Sequence, residues 1–251
     1  MSILIEENTG LKVDRKLNLG GTLVCFNALR RGDLDLYAEY TGTGLTVVLK
    51  REAVSERDKV YQLVKEAYRG KFNLLWLKPF GFNDTYTLTM RRKQAMELGI
   101  NRISDLEPYI DLLIPGFDHE FMERPDGYPG LAKHYGFRFV KETKEMDPGL
   151  MYRAIAEGSV DVIDGFSTDG RIPAFDLVIL EDDKHFFPPY YAAPLIRADI
   201  LKKYPELEGV LNKLGSKISD ETMRQMNYEV DEEGRKPEDV AREFLERNRL
   251  I

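Results

Sequence analysis

The sequence predicts an α/β chain made of two similar lobes with a cleft between them. Two observations carry this. Strand-like and helix-like patterns alternate along the chain, the arrangement that builds a sheet covered by helices. One local pattern also occurs twice: residues 28–36 (ALRRGDLDL) and residues 154–162 (AIAEGSVDV) each stop a helix at a glycine and then open a strand with an aspartate. A chain of 251 residues sits near the length at which a single core stops growing, so by length alone it is one large domain or two lobes of ordinary size.

Each element has a local reason. Residues 1–8 (MSILIEEN) read as the end of an amphipathic helix, and residues 12–17 as a short strand. Residues 18–22 form a turn, with Thr22 placed to cap a helix over 23–30. Residues 34–40 (LDLYAEY) alternate strictly and read as a strand, so 12–40 is expected to form a βαβ unit. Ser55 is placed to cap a helix over 55–68, with Asp58 at its third position. Residues 72–77 (FNLLWL) are a short apolar strand, 79–86 (PFGFNDTY) a loop and 87–91 a strand leading away from it. Short helices follow over 93–98 and 104–109, then a strand over 111–114 and a long polar loop over 115–130. A helix over 131–135 and a strand over 138–140 come next. Asp147-Pro148 is an N-cap followed by proline at the first helical position, opening a helix over 148–157. Strands over 160–163 and 177–180 flank a turn at 167–171. Helices over 198–204, 206–214, 220–230 and 237–248, separated at Pro205, Gly215 and Gly234, close the chain.

Composition excludes several functions. Hydrophobic residues make up 43% and charged residues 31%, the balance of a folded globular chain. The net charge of −7 does not suit a phosphate backbone, so nucleic acid is not an expected partner. The longest apolar runs, such as 72–77 and 112–115, are too short to cross a bilayer. Cys25 is the single cysteine, which leaves no internal disulfide and reads as a small buried hydrophobe. His119, His134 and His185 have no His or Cys at helical spacing, so neither a metal site nor a cofactor is expected. There is no glycine-rich phosphate loop and no Gly-x-Ser-x-Gly elbow, and no segment assembles a nucleophile, a base and an orienting group. The chain therefore does not read as an enzyme. Asp164 and Asp169 bracket Phe166 and can be read as paired carboxylates, but Asp169-Gly170 is also an ordinary turn pair. The opening residues carry no basic leader, apolar h-region or cleavage site, which leaves a cytoplasmic protein or a start inside a longer polypeptide as readings.

The informative feature is aromatic. Tyr40 ends one strand, Tyr86 ends the loop before another, Phe166 follows the 160–163 strand, and Tyr190 and Tyr191 follow Pro188-Pro189. In open α/β sheets ligands lie beyond the carboxyl ends of the strands, where these rings fall. Several ring faces around one point attract a cation that has no hydrogen-bond donors, such as a quaternary ammonium. With 13 Tyr and 13 Phe in the chain, some rings also reach strand ends by composition alone. Arg124, on the 115–130 loop, has the fork geometry for a carboxylate or is a solvated loop residue. Thr43 can donate a hydroxyl or cap the stretch that follows.

At these residues the chain resembles the substrate-binding components of ABC importers for glycine betaine, choline, carnitine and proline betaine. The stretches that carry the resemblance are LNLGGT (17–22), GDLDLYAEYTGTGL (32–45), FNDTYTLTMRRKQAMELGINRISDL (82–106), FMERPDGYPGL (121–131), LMYRAIAEGSVDVIDGFSTDGRI (150–172) and FFPPYYAAPLIR (186–197). The resemblance implies a two-lobed periplasmic-binding-protein fold of type II-like topology that closes on its ligand. Lobe I would comprise 1–88 plus 191–251 and lobe II 89–190. It implies an aromatic cage of Tyr40, Tyr86, Phe166 and Tyr190, with Tyr191 as the alternative to Tyr190, and places Arg124 and Thr43 where the family holds a ligand carboxylate. Phe166 stands where the family has tyrosine. The resemblance also implies an extracytoplasmic protein that delivers its ligand to a permease, and a first strand that would precede Met1. Two rival readings stay open: a receptor for an amino acid or for a polyamine, the latter needing carboxylates such as Asp84 or Asp164, and an enzyme on the same fold.

Overall fold

The computed structural model describes residues 1–251. In chain order its helices and strands are α1 (Ser2–Thr9), α2 (Thr22–Arg31), β1 (Leu36–Tyr40), α3 (Thr41–Thr43), α4 (Arg57–Phe72), β2 (Leu74–Trp76), β3 (Tyr86–Arg91) and α5 (Arg92–Leu98). There follow β4 (Pro115–Phe117), α6 (His119–Glu123), α7 (Tyr128–Tyr135), β5 (Lys144–Glu145), α8 (Pro148–Ala156), β6 (Val162–Phe166), α9 (Arg171–Ala174) and β7 (Leu177–Ile179). The chain ends with β8 (Ala192–Arg197), α10 (Ala198–Lys203), α11 (Glu206–Asn212), α12 (Asp220–Asp231) and α13 (Pro237–Arg247). α3 runs on into a π-helical turn over Gly44–Val48. No helix is long and apolar enough to cross a membrane.

These elements divide into two compact units, Met1–Asp84 with Pro189–Ile251, and Thr85–Pro188. The changes of unit fall a few residues before the expected 88/89 and 190/191. β3 is paired with β6 from its first residue, so Tyr86, Thr87 and Leu88 belong with the second unit. The Tyr190 backbone is bonded to Asn83 and Asp84, so it belongs with the first.

The first unit holds a three-stranded sheet of order β1-β8-β2, with β8 antiparallel to both neighbours. Its core gathers Phe26 and Leu29 of α2, Val60, Val64 and Tyr68 of α4, Trp76 of β2 and Leu195 of β8. Phe26, Phe72 and Trp76 all meet the Tyr68 ring edge-on, with centroids 5.3–5.7 Å away. Helix α1 buries Ile3, Leu4 and Ile5 against the C-terminal helices. The expected strand at 12–17 is absent, and with it the βαβ unit over 12–40. This stretch is tied to α1 instead: Glu6 accepts from the Val13 backbone (3.1 Å) and pairs with Arg15. β1 takes its sheet partner from β8, the returning strand.

The second unit holds a five-stranded sheet of order β5-β4-β6-β3-β7, with β3 antiparallel to β6 and β7 and β4 parallel to β5 and β6. Residues 115–130 are not a loop. Phe117 and Phe121 are fully buried, and the Asp118 carboxylate caps α6 by accepting from the Phe121 backbone (3.0 Å). The expected strands at 111–114 and 138–140 are also absent. The Ile114 carbonyl receives Asp161 N (2.7 Å), and pairing with β6 starts at Pro115. Phe139 is instead packed by its ring against Phe117, and its backbone N–H donates to the Tyr128 hydroxyl (2.9 Å).

The repeated segment builds the same joint in both units. Gly32 (φ 86°) and Gly158 (φ 77°) take the left-handed conformation that ends α2 and α8. The Ala28 carbonyl then accepts from Asp33 N (2.9 Å) and the Ala154 carbonyl from Ser159 N (2.8 Å). The aspartate that opens each strand meets the arginine that ends its antiparallel neighbour, Asp35 with Arg197 at 3.8 Å and Asp161 with Arg91 at 2.5 Å. The Arg91 pair is the more enclosed, and against the opposing effect of burial the Ile114 backbone N–H, then the Gln94 and Arg91 side chains, hold the Asp161 carboxyl below its usual pKa. Leu195, on the central strand β8, is fully buried. Leu195→Ala is expected to lower unfolding free energy by about 2–5 kcal/mol in urea titrations followed by circular dichroism.

Candidate functional site

The joints aim β1 and β6 so that each strand ends in an aromatic, Tyr40 in the first unit and Phe166 in the second. In the first unit the 189–191 segment is fastened to the end of β1. The Thr41 hydroxyl donates to the Pro189 carbonyl (2.9 Å) and accepts from Tyr191 N (3.0 Å), while Thr41 N donates to the Tyr191 carbonyl (3.1 Å). Gly42 makes the approach possible, because a Cβ there would stand 2.7 Å from the Tyr190 ring. Tyr190 is buried, its N–H donates to Asn83 Oδ1 (2.6 Å), and its carbonyl accepts from Asp84 N (3.1 Å). The Tyr40 hydroxyl is hydrogen-bonded to the Asp84 carboxylate. Burial first, then the Asp84 and Glu39 charges, push its pKa well above the ordinary phenol value.

Asp84 thus joins Tyr40 to Tyr190 through its side chain and its backbone. Glu39 is buried and accepts from the Tyr37 hydroxyl (2.7 Å) and from Tyr40 N (2.7 Å). Thr43 is buried at the end of α3. Tyr191 is differently employed: the Arg57 guanidinium lies 3.9 Å from its ring centroid.

In the second unit the antiparallel register sets Tyr86 directly opposite Phe166, with ring centroids 5.0 Å apart. Two rings that sequence patterning did not single out complete this group. Phe121 from α6 lies 5.1 Å and Phe187 lies 6.2 Å from the Tyr86 centroid. Phe121 was hidden in the stretch expected to be a loop, where its spacing of four from Phe117 was the available signal. The Arg124 guanidinium stands 5.2 Å from the Tyr86 centroid. Asp126, itself buried, holds Arg124 by one edge, Nε to Oδ1 (2.9 Å) and Nη2 to Oδ2 (2.8 Å), and Glu120 lies 3.7 Å away. Arg124 is therefore an oriented residue at the end of α6 rather than a solvated loop arginine. Burial raises the Tyr86 hydroxyl pKa; Arg124 opposes the shift, and Asp118, Asp164 and Glu120 add to it.

Asp164 and Asp169 do not form a pair. Asp169 is held by Arg171, whose guanidinium also lies 4.3 Å from the Tyr152 ring centroid. Asp164 turns the other way and accepts from the Asp118 backbone N–H (2.9 Å). The candidate residues therefore fall into two groups, Tyr40, Thr43, Tyr190 and Tyr191 in the first unit and Tyr86, Arg124 and Phe166 in the second. Each group is a set of aromatic faces with fixed carboxylates behind them, and the second also carries an oriented arginine. Such a surface recognises a cation by its face and a carboxylate by its guanidinium.

A family model described as the substrate binding domain of ABC-type glycine betaine transport systems matches residues 1–247. The chain is 43% identical to the carnitine transport binding protein OpuCC of Listeria monocytogenes, over 98% of this chain and 80% of that protein. It is 41% identical to the ergothioneine transport permease/ergothioneine binding protein EgtU of Helicobacter pylori, over 98% of this chain and 44% of that longer protein. Among solved structures, a glycine betaine/carnitine/choline ABC transporter protein superposes with a TM-score of 0.83 at 38% identity, covering 99% of this chain and 92% of that one. The chain belongs to the family of substrate-binding domains of ABC-type glycine betaine transport systems.

Proposed function

We propose that the chain is a receptor, not an enzyme, that binds a quaternary ammonium osmoprotectant such as glycine betaine, choline or carnitine outside the cytoplasm and delivers it to an ABC permease. The observation that carries this reading is the Tyr86 group: a ring flanked at 5.0–5.1 Å by Phe166 and Phe121, beside an arginine held in place by a buried carboxylate. An ammonium whose methyl groups cannot donate hydrogen bonds gains about 0.5–2 kcal/mol per good ring contact and buries its methyls against the same faces. Tyr40, Thr43 and Tyr190 from the first unit and Tyr86, Arg124 and Phe166 from the second are the proposed contacts. Tyr191, already stacked with Arg57, is the weaker member of the set. A ligand carboxylate would meet the Arg124 guanidinium, which Asp126 orients through Nε and Nη2.

A thermal-shift screen with choline, glycine betaine, carnitine, proline betaine, ergothioneine, spermidine and amino acids tests the class. Binding at a hundredfold excess over the dissociation constant stabilises the fold by about 2.7 kcal/mol, a clear shift in Tm. The expected result is a shift with at least one quaternary amine and none with spermidine. A shift with spermidine or amino acids alone refutes the reading. Tyr86→Ala is expected to abolish the shift while circular dichroism stays native-like; binding left unchanged would remove Tyr86 from the site.

Arg124→Gln separates the two ends of the ligand. Carnitine and betaine, which carry a carboxylate, are expected to weaken by roughly tenfold, about 1.4 kcal/mol, while choline changes little. Isothermal titration of the three ligands against the variant provides the comparison.

A further inference from the structure

Two buried carboxylates in the second unit have no part in the reading above. Asp164 lies on β6 two residues before Phe166, so it shares that strand's face with the Phe166 ring, and its register partner is Leu88. Asp118 follows β4, the parallel neighbour of β6, and caps the helix that carries Phe121. Asp164 is fully buried and Asp118 is 6% exposed. Their side chains lie within hydrogen-bonding reach of each other, and Asp118 N–H also donates to Asp164 Oδ1 (2.9 Å). Yet Oδ2 of each carboxylate is buried without a partner. Two ionised carboxylates offer only acceptors to each other, so the arrangement is satisfied when one proton lies between them. Burial and the neighbouring Asp118 carboxylate both drive the Asp164 pKa far up, in keeping with that proton.

Each arginine near the pair is matched by a buried carboxylate. Arg124 is matched by Asp126 with Glu120 at its side, and Arg171 is matched by Asp169. Tyr86 from β3 and Tyr152 from α8 face the pair as phenols whose burial keeps them neutral. Glu120 adds a charge whose side chain is 55% exposed and so screened by water; the pair itself leaves one negative charge, fixed beside the aromatic group and shielded from water.

We propose that Asp118 and Asp164 share one proton, and that the single negative charge remaining on the pair draws the ligand's quaternary ammonium to the Tyr86–Phe121–Phe166 rings. This rests on the reading of Tyr86 and Phe166 as ligand contacts. The rings exclude water and set the shape of the receptor, while the buried pair supplies the long-range attraction. That attraction distinguishes a cation from a neutral group of the same shape.

Counting charges tests the proposal. Asp118→Asn and Asp164→Asn each leave one carboxylate, now ionised and facing an amide donor, so each keeps the single charge. The double variant has two amides and no charge in nearly the same volume. Choline and its uncharged carbon isostere, 3,3-dimethyl-1-butanol, are titrated by calorimetry into the wild type and the three variants, with circular dichroism to confirm folding. The single variants are expected to bind choline within about threefold of the wild type, and the double variant roughly tenfold more weakly, with the isostere changed by less than about twofold throughout. A double variant that binds choline as the wild type does overturns the proposal. So does one that loses choline and isostere equally, which would mark the pair as purely structural. If the double variant does not fold, the single variants decide, because a selective loss of choline in either, beyond about threefold, contradicts a retained charge. Wild-type protein that binds choline no better than the isostere overturns the proposal directly. Wild-type protein that binds neither choline, carnitine nor glycine betaine overturns the functional reading beneath it.

Discussion

The register of β3 against β6 is the constraint on which the second unit's site depends. It sets Tyr86 opposite Phe166 and Leu88 opposite Asp164, so an aromatic pair and a buried carboxylate share one face of the sheet. A slip of one residue would turn Tyr86 to the other face, where Thr87 and Thr89 now hydrogen-bond to each other (3.0 Å). The register is held from both ends. Arg91 at the far end of β3 binds Asp161 and the carbonyls of Ile155 and Val160, and Thr85 at the near end donates its N–H to the Ser167 hydroxyl (3.1 Å). Gly165 between them admits no side chain, since a Cβ would stand 2.5 Å from the Tyr152 hydroxyl.

The first unit uses the same joint for a different edge. Asp35 and Arg197 fix the opening of β1 against β8, and Tyr40 ends the strand. Its ring companion comes from the chain just before β8, because Thr41 ties Pro189 and Tyr191 to the strand end and Gly42 lets Tyr190 close against it. The two units therefore share one scaffold solution with different furnishings. A tyrosine bonded to Asp84 stands in one, and a four-ring group with an oriented arginine in the other.

Much of this was legible from residues. The doubled helix–glycine–aspartate pattern marks two α/β lobes because glycine takes the left-handed turn that ends a helix without steric cost, and the structure builds that turn at both Gly32 and Gly158. The aromatic positions at the strand ends were legible too. The stretch 115–130 was not, because Pro, Gly and Asp serve turns and helix starts alike. Asp118 proved to be an N-cap and Pro129 the first turn of α7. Nor does the strand expected at 12–17 form. A strand needs a neighbour for its backbone groups, and there the Glu6 side chain takes that place.

By itself the sequence determined the kind of elements, their order, the repeated joint, and a set of aromatic and charged residues at strand ends. Those follow from local backbone preference and hydrophobic period, which a short window contains. Tertiary structure alone decided which side chains meet. It gave Tyr191 to Arg57, and it brought Asp164 to Asp118, forty-six residues away in sequence. Such choices depend on which elements lie side by side, and that is settled by packing across the whole unit.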